Sequence, residues 1–209
     1  RVPLYEGKMF DFYNHRFASA VRNTANAQRQ SQQLLSASDD LANPNFEVRP
    51  LYYVDSSLVD NKLPEKLQYF FAFKDITSPT NERTFVCSML PRSGVGNKAP
   101  LILTGDYSKL AQIVGSMSSL VFDYSARQKI GGITMNFYLV KQFPVLPPEA
   151  YGAADAAFIA PRVVELTYTA WDLRAFGRDM GMDGAPFRWD EDRRAVMRAE
   201  LDAWYARKY

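Results

Sequence analysis

From Leu110 onward, apolar side chains recur at spacings of three and four (Ile113, Val114, Met117, Leu120, Val121, Tyr124), the pattern of one buried helical face. A single buried helix over about 107–129 is expected, closed by Gly131 and Gly132. Beyond it, Phe137, Leu139 and Phe143 alternate with polar positions as in a half-buried strand, which Pro144, Pro147 and Pro148 then stop. Residues 69–74 and 84–90 are β-type apolar runs, separated by the turn formers Ser78, Pro79, Thr80 and Asn81. Residues 101–103 predict another short strand.

Toward the N-terminus, Tyr5, Phe10, Phe12, Tyr13 and Phe17 around Gly7 predict a bent strand or hairpin over 4–17. Residues 46–54 return to β-type residues, interrupted by Pro50, and 63–67 suit a short helical turn. Between these lies a stretch, 18–45, rich in Gln, Asn, Ser and Ala, within which 25–35 fits a helix or a mobile insertion equally.

Past Pro148 the pattern is helical, with Phe158, Ile159, Val163, Val164, Leu166, Tyr168 and Trp171, and with Pro161 expected in a first helical turn. Residues 190–209 begin with acids and end in Arg207 and Lys208, the charge order that complements a helix dipole. Val196, Leu201, Trp204 and Tyr205 would form the apolar side of that helix. The pattern as a whole predicts an α+β chain. A mixed β-sheet domain with a buried central helix covers 1–150, and a helical C-terminal region, 151–209, packs on it or on a partner domain.

Composition adds that the 209-residue chain, 47% apolar and 14% aromatic, has ample material for a packed core. No apolar run is long enough to span a bilayer and no signal-peptide pattern is visible, so a cytoplasmic protein without a membrane partner is expected. The chain begins at Arg1 in a strand-like segment, which suggests a piece of a longer polypeptide. Net charge is only +2, but it is uneven. Residues 70–145 hold eight cations (Lys74, Arg83, Arg92, Lys98, Lys109, Arg127, Lys129, Lys141) against Asp75, Glu82, Asp106 and Asp123, a balance of +4. Residues 151–209 hold nine cations against ten anions and are not the basic surface.

The common catalytic patterns fail. Gly94-Val95-Gly96 lacks the third glycine of a dinucleotide fingerprint and meets Pro100 before any helix opens. No GxxxxGK phosphate loop exists, and Ser93 is not in a GxSxG elbow. His15 is the lone histidine and Cys87 the lone cysteine, so zinc sites of the common kinds are excluded; His15 suits a packed or surface position and Cys87 an inert core position. Acid pairs such as Asp39 and Asp40 suit capping and solvation. What remains is cations, glycines and amides gathered in loops. Arg127, Lys129 and Lys141 bracket Gly131 and Gly132, while Arg92, Asn97 and Lys98 surround the GVG segment. From spacing alone these are a binding surface for an anion or exposed turns.

Four blocks together resemble a known family: PLYEGKM followed by HRF, DITSPTNERTFVCSMLPRSGVGN, LVFDYSARQKIGGITMNFYLVKQFPVLPP, and PFRWDEDRRAVMRAELDA. They are similar, in this order, to the C-terminal target-recognition region of type IIG restriction-modification enzymes and related phage-defence adenine-N6 DNA methyltransferases. That region is itself similar to the TaqI-like specificity domain. The family's catalytic domain carries an S-adenosylmethionine motif and an Asn-Pro-Pro-Tyr/Phe motif. Here Asn43-Pro44 continues as Asn45-Phe46, so neither is present. The resemblance implies a non-catalytic reader with no cofactor of its own, joined in its parent to an S-adenosylmethionine-dependent catalytic domain, with double-stranded DNA as the other partner.

Such an enzyme extrudes its target base and needs a second surface to grip and read the duplex. Arg83, Arg92, Lys98, Arg127, Lys129 and Lys141 are candidates for phosphate contact, and Asn81, Asn97, Thr134 and Asn136 for base contact, with Arg92 or Lys129 also suited to guanine. The competing expectation is a protein-interaction module anchored by Trp171, Trp204 and Tyr205. A metal-dependent nuclease is scarcely supported, because the acids are scattered.

Overall fold

The computed structural model describes residues 1–25, 31–64, 67–103 and 109–209. The chain enters as β1 (Val2–Tyr5), turns, and continues as a hairpin of β2 (Ala18–Arg22) and β3 (Ser31–Leu35), then α1 (Ser38–Ala42), β4 (Tyr53–Val54) and α2 (Ser56–Asp60). β5 (Tyr69–Phe73), β6 (Cys87–Pro91), β7 (Gly94–Val95) and β8 (Leu101–Ile102) follow. The rest is helical: α3 (Leu110–Met117), α4 (Leu120–Lys129), α5 (Phe137–Val140), α6 (Ala153–Thr167), α7 (Arg174–Asp179) and α8 (Glu191–Lys208). The fold is α+β with a helical C-terminal region. Among the described residues, no helix is long and apolar enough to cross a membrane.

β5 is the centre of packing. All its residues are buried, and it pairs antiparallel with β6 on one edge and β8 on the other. A strand buried on both faces must be apolar throughout, which is why YFFAF stands out in the sequence. Phe71, Phe73, Cys87 and Met89 join Leu110 and Val114 of α3, Ile159 and Val163 of α6, and Leu201 and Tyr205 of α8 in one core that crosses residue 150. A smaller cluster gathers Tyr5, Met9, Phe10, Val48, Leu90 and Ala99. The strands β4-β1-β7 form a second, mixed sheet, antiparallel on one side and parallel on the other.

Several expectations are corrected. The long central helix is two helices, because Ser119 leaves helical geometry and caps α4, its Oγ accepting from Phe122 N at 3.3 Å while donating to Ser116 O at 2.8 Å. The expected start of that helix at Tyr107 lies outside the described residues. The strand expected over 137–143 is instead the single helical turn α5. Asn136 Oδ1 accepts from Leu139 N at 3.1 Å, and Val140 and Phe143, three apart, are the buried pair. Pro161 sits mid-helix in α6, not in a first turn. The carbonyl it leaves unpaired, that of Ala157, is on the exposed side, where water can serve it.

Residues 4–17 hold only β1 and an isolated Asp11–Asn14 bridge, not a full hairpin. Only Tyr53–Val54 of the 46–54 run is strand. Residues 31–35 form β3, not a helix, whereas 26–30 lie outside the described residues, as do 65 and 66 of the turn expected over 63–67. Val196 is 58% exposed and does not belong to the apolar side of α8.

The N-terminal segment is fastened to the helical region at a seam of buried cations. Arg16, fully buried, donates from Nη1 to Asn43 O (2.7 Å) and from Nη2 to Leu41 O (2.9 Å) and Thr169 O (3.0 Å). Beside it, His15 Nε2 lies 2.9 Å from Asp172 Oδ1. Arg194 donates to Leu166 O (2.7 Å) and Tyr13 O (3.1 Å), with its guanidinium 3.7 Å from the Trp189 ring centroid. Tyr13 itself has φ +55, a left-handed conformation costly for a bulky residue and held here by these contacts.

Candidate nucleic-acid interface

Three of the loops that the sequence singles out are joined edge to edge. Beyond β5 the chain continues through Asp75, whose N–H donates to Lys98 O (3.2 Å) and whose carbonyl accepts from Met135 N (2.6 Å). Ile76 forms a bridge with Thr134, and Thr77 N donates to Ile133 O at 3.0 Å. The 96–98, 75–77 and 133–135 segments therefore extend the sheet as three short neighbouring strips. The buried Asp75 carboxylate reinforces the join by accepting from Lys98 Nζ at 2.7 Å. Gly7 lets the N-terminal turn come up against the first strip, since a Cβ there would stand 2.5 Å from Lys98 O.

The outer surface of this extension is made of exposed polar and apolar side chains. Asn97, Thr134 and Asn136 are exposed, Ile133 is 65% exposed and Tyr138 is 77% exposed. Lys129, in the last turn of α4, and Lys141, at the end of α5, are exposed, and neither side chain has a hydrogen-bond or ion-pair partner among the described residues. Gly131 and Gly132 lie between them. A Cβ on either would meet nothing within 4 Å, and neither has a positive φ. Neither packing nor backbone conformation requires these two glycines.

The remaining candidates are tied into the protein. Arg83 donates to Asp202 Oδ2 (2.9 Å) and lies over the Phe12 ring. Arg92 is fastened to Asp60 Oδ1 (2.7 Å) and to the carbonyls of Pro64 and Leu67. Arg127 holds the 78–85 turn onto α4, donating to Pro79 O (2.6 Å), Asn81 O (3.1 Å), Glu82 O (3.0 Å) and Asp123 Oδ2 (2.9 Å). Asp123 in turn accepts from Thr84 N and Phe85 N, each at 2.7 Å. Asn81 is exposed on that turn. Asn136 spends its Oδ1 on the α5 cap, which leaves its amide NH2 as the outward group.

Two open clefts adjoin the extension and meet at Lys74 and Ile76. One, of about 430 Å³, is lined by Glu6, Gly7, Lys8, Gln33, Lys74, Ile76, Gly96, Asn97 and Lys98. The other, of about 580 Å³, runs from Leu35 and Ser36 past Asn81, Arg83 and Phe12 to Trp189 and Arg198. β3 borders both. Sequence reasoning gave no chemistry to β3, Ile76, Ile133 or Tyr138; the Gly-Gly pair beside exposed apolar residues was the available signal for Ile133.

Among the described residues no group of three or more His, Cys, Asp or Glu is placed to hold a metal ion. Burial pushes the Cys87 thiol up to about 12, beside the Ser118 hydroxyl, so it stays a protonated core group. Of the docking anchors, Tyr205 is fully buried, Trp204 is half-buried and stacks on Tyr151 at 5.9 Å, and Trp171 is 39% exposed with the Arg174 guanidinium over its ring. No protein-family model, curated protein or solved structure matches the chain.

Proposed function

We propose that this chain is a sequence-specific duplex DNA recognition domain of an adenine-N6 DNA methyltransferase serving restriction-modification or phage defence in the cytoplasm. The chain itself is not catalytic; S-adenosylmethionine and the methyl transfer belong to another domain of the parent protein. The methyltransferase assignment rests on the four motif blocks and their order. The observation that carries DNA binding is the 129–141 face, where a bare Gly131–Gly132 backbone lies between two unpartnered lysines beside exposed amides. Backbone N–H groups without side chains in front of them can approach a phosphate, lysines neutralise it, and amides reach base edges.

The test is titration of the full chain, by fluorescence anisotropy, against random duplex and single strand over a range of salt. Duplex binding should weaken steeply with salt, and Lys129→Ala with Lys141→Ala should flatten the log–log slope by roughly 1.8, since each phosphate contact contributes about 0.9. Because both side chains are exposed, stability should shift by less than about 0.5 kcal/mol. Unchanged affinity and slope in the double variant would remove this face from the interface.

A further inference from the structure

We infer that β3 is a base-reading strand, with Gln33 contacting base edges in the major groove opposite Asn97 across the smaller cleft. This rests on the duplex reading above and extends it to a part of the chain to which the sequence assigned no chemistry.

The first ground is that the fold makes little use of β3 beyond its pairing. It matches β2 residue for residue from Ala18↔Leu35 to Arg22↔Ser31, yet four of its five residues are exposed, whereas Ala18, Ser19 and Ala20 of β2 are buried. An isolated two-stranded ribbon is only marginally stable, and here it is pinned at both ends. Lys8 Nζ donates to Ser31 O at 3.2 Å, and Ser36 donates from N to Phe17 O (3.0 Å) and from Oγ to Arg16 O (2.6 Å). The strand is held in place and left open to solvent.

The second ground is direction. Side chains alternate along a strand, so Ser31, Gln33 and Leu35 share one face and Gln32 and Leu34 the other. The clefts follow this alternation: Gln33 lines the smaller and Leu35 the larger. Gln33 thus borders the same cleft as Ile76, Asn97 and Lys98, which belong to the strip extension that carries Thr134. The ribbon is continuous with the proposed interface.

The third ground is chemistry. Residues 18–37 contain arginine and many amides but no carboxylate, in a chain with 23 acids. The one carboxylate that meets β3, Glu6, which accepts from Ser31 Oγ at 3.2 Å, is paired with Lys8 at 3.1 Å, so the strand presents no uncompensated anion to a polyanion. β3 offers an exposed strand to the major groove, and a glutamine amide matches the N6 and N7 edge of adenine bidentately.

The experiment is selection of preferred sites from a random duplex pool by the full chain and by Gln33→Ala and Gln32→Ala, each checked for folding by circular dichroism. Wild type should yield a defined site. Gln33→Ala should keep its salt slope but lose preference at one base pair, binding the wild-type site about tenfold more weakly, while Gln32→Ala selects the wild-type site. A Gln33→Ala chain that selects the same site with the same strength overturns the role of β3 and leaves duplex recognition standing. Duplex binding by wild type with no preferred site also overturns it. Failure of wild type to bind duplex at all overturns both readings.

Discussion

The seam around Arg16 and the face around Gly131 and Gly132 are built from similar residues, cations beside aromatic and amide groups, and use them oppositely. At the seam, Arg16 lies fully buried with both terminal nitrogens on carbonyls; its Nε lacks an acceptor. At the face, Lys129 and Lys141 touch no described partner, and two glycines occupy positions that any small residue would fill. Buried cations must be hydrogen-bonded because a desolvated charge is costly. Exposed ones carry no such constraint and are free for a ligand. Arginine forks reach several carbonyls at once, so they suit the first use, and lysines with one flexible point charge suit the second.

The most severe break of the comparison is Arg16→Ala. It strands the carbonyls of Leu41 and Asn43 at the end of α1 and of Thr169 after α6, on two separate segments, and should cost at least about 3 kcal/mol. Arg16→Lys should also destabilise, since an ammonium cannot replace the fork. Urea unfolding followed by circular dichroism measures both; a near-wild-type midpoint for the alanine variant would show that the seam is not a fastening.

These opposite uses also explain what was legible in the sequence. The β5 and β6 runs were visible because strands buried on both faces need consecutive apolar residues. The loops of the candidate interface were visible because Gly, Asn and Lys cluster locally. What was invisible depends on distant partners: Arg83 meets Asp202, and Arg92 meets Asp60. No local pattern separates these arginines from Lys129.

The mistaken elements have local causes instead. Phe137, Leu139 and Phe143 fit a period of two by coincidence, and the Asn136 cap decides for a helical turn. The Ser119 cap likewise divides a sequence whose apolar spacing runs on unbroken. β3, with no β-branched residue, is a strand only because β2 lies beside it.

A milder probe of the seam is pH. Burial acts to raise the Asp172 carboxyl, but the charge of His15 and its hydrogen bond, together with Arg16 and the Leu173 N–H, outweigh it, and Asp172 ends below the ordinary carboxylate value. A carboxylate depressed in the folded state stabilises fully above its unfolded pKa, about 3.9, and that stability is lost as pH falls through the lower folded value. Asp172→Asn should therefore cost about 1.5–3 kcal/mol at neutral pH, the range for hydrogen bonds to charged groups, and the two stability curves should converge in acid. Parallel curves down to pH 2 would mean that the contact contributes shape and not charge.

The smallest effect is the sharpest discriminator between the two regions. At Gly131 and Gly132 the added methyl of alanine meets open space and no left-handed conformation is required. Alanine there restricts the unfolded chain without straining the folded one, so each substitution should stabilise by about 0.4–1 kcal/mol. If the bare backbone is where a phosphate approaches, the same methyl stands in the way, and Gly131→Ala with Gly132→Ala should bind duplex more weakly while melting higher. Thermal unfolding and anisotropy on one preparation read both signs. A variant that melts higher and binds as well as wild type would show that the glycines serve neither fold nor ligand, and the contrast with the seam would then rest on Lys129 and Lys141 alone.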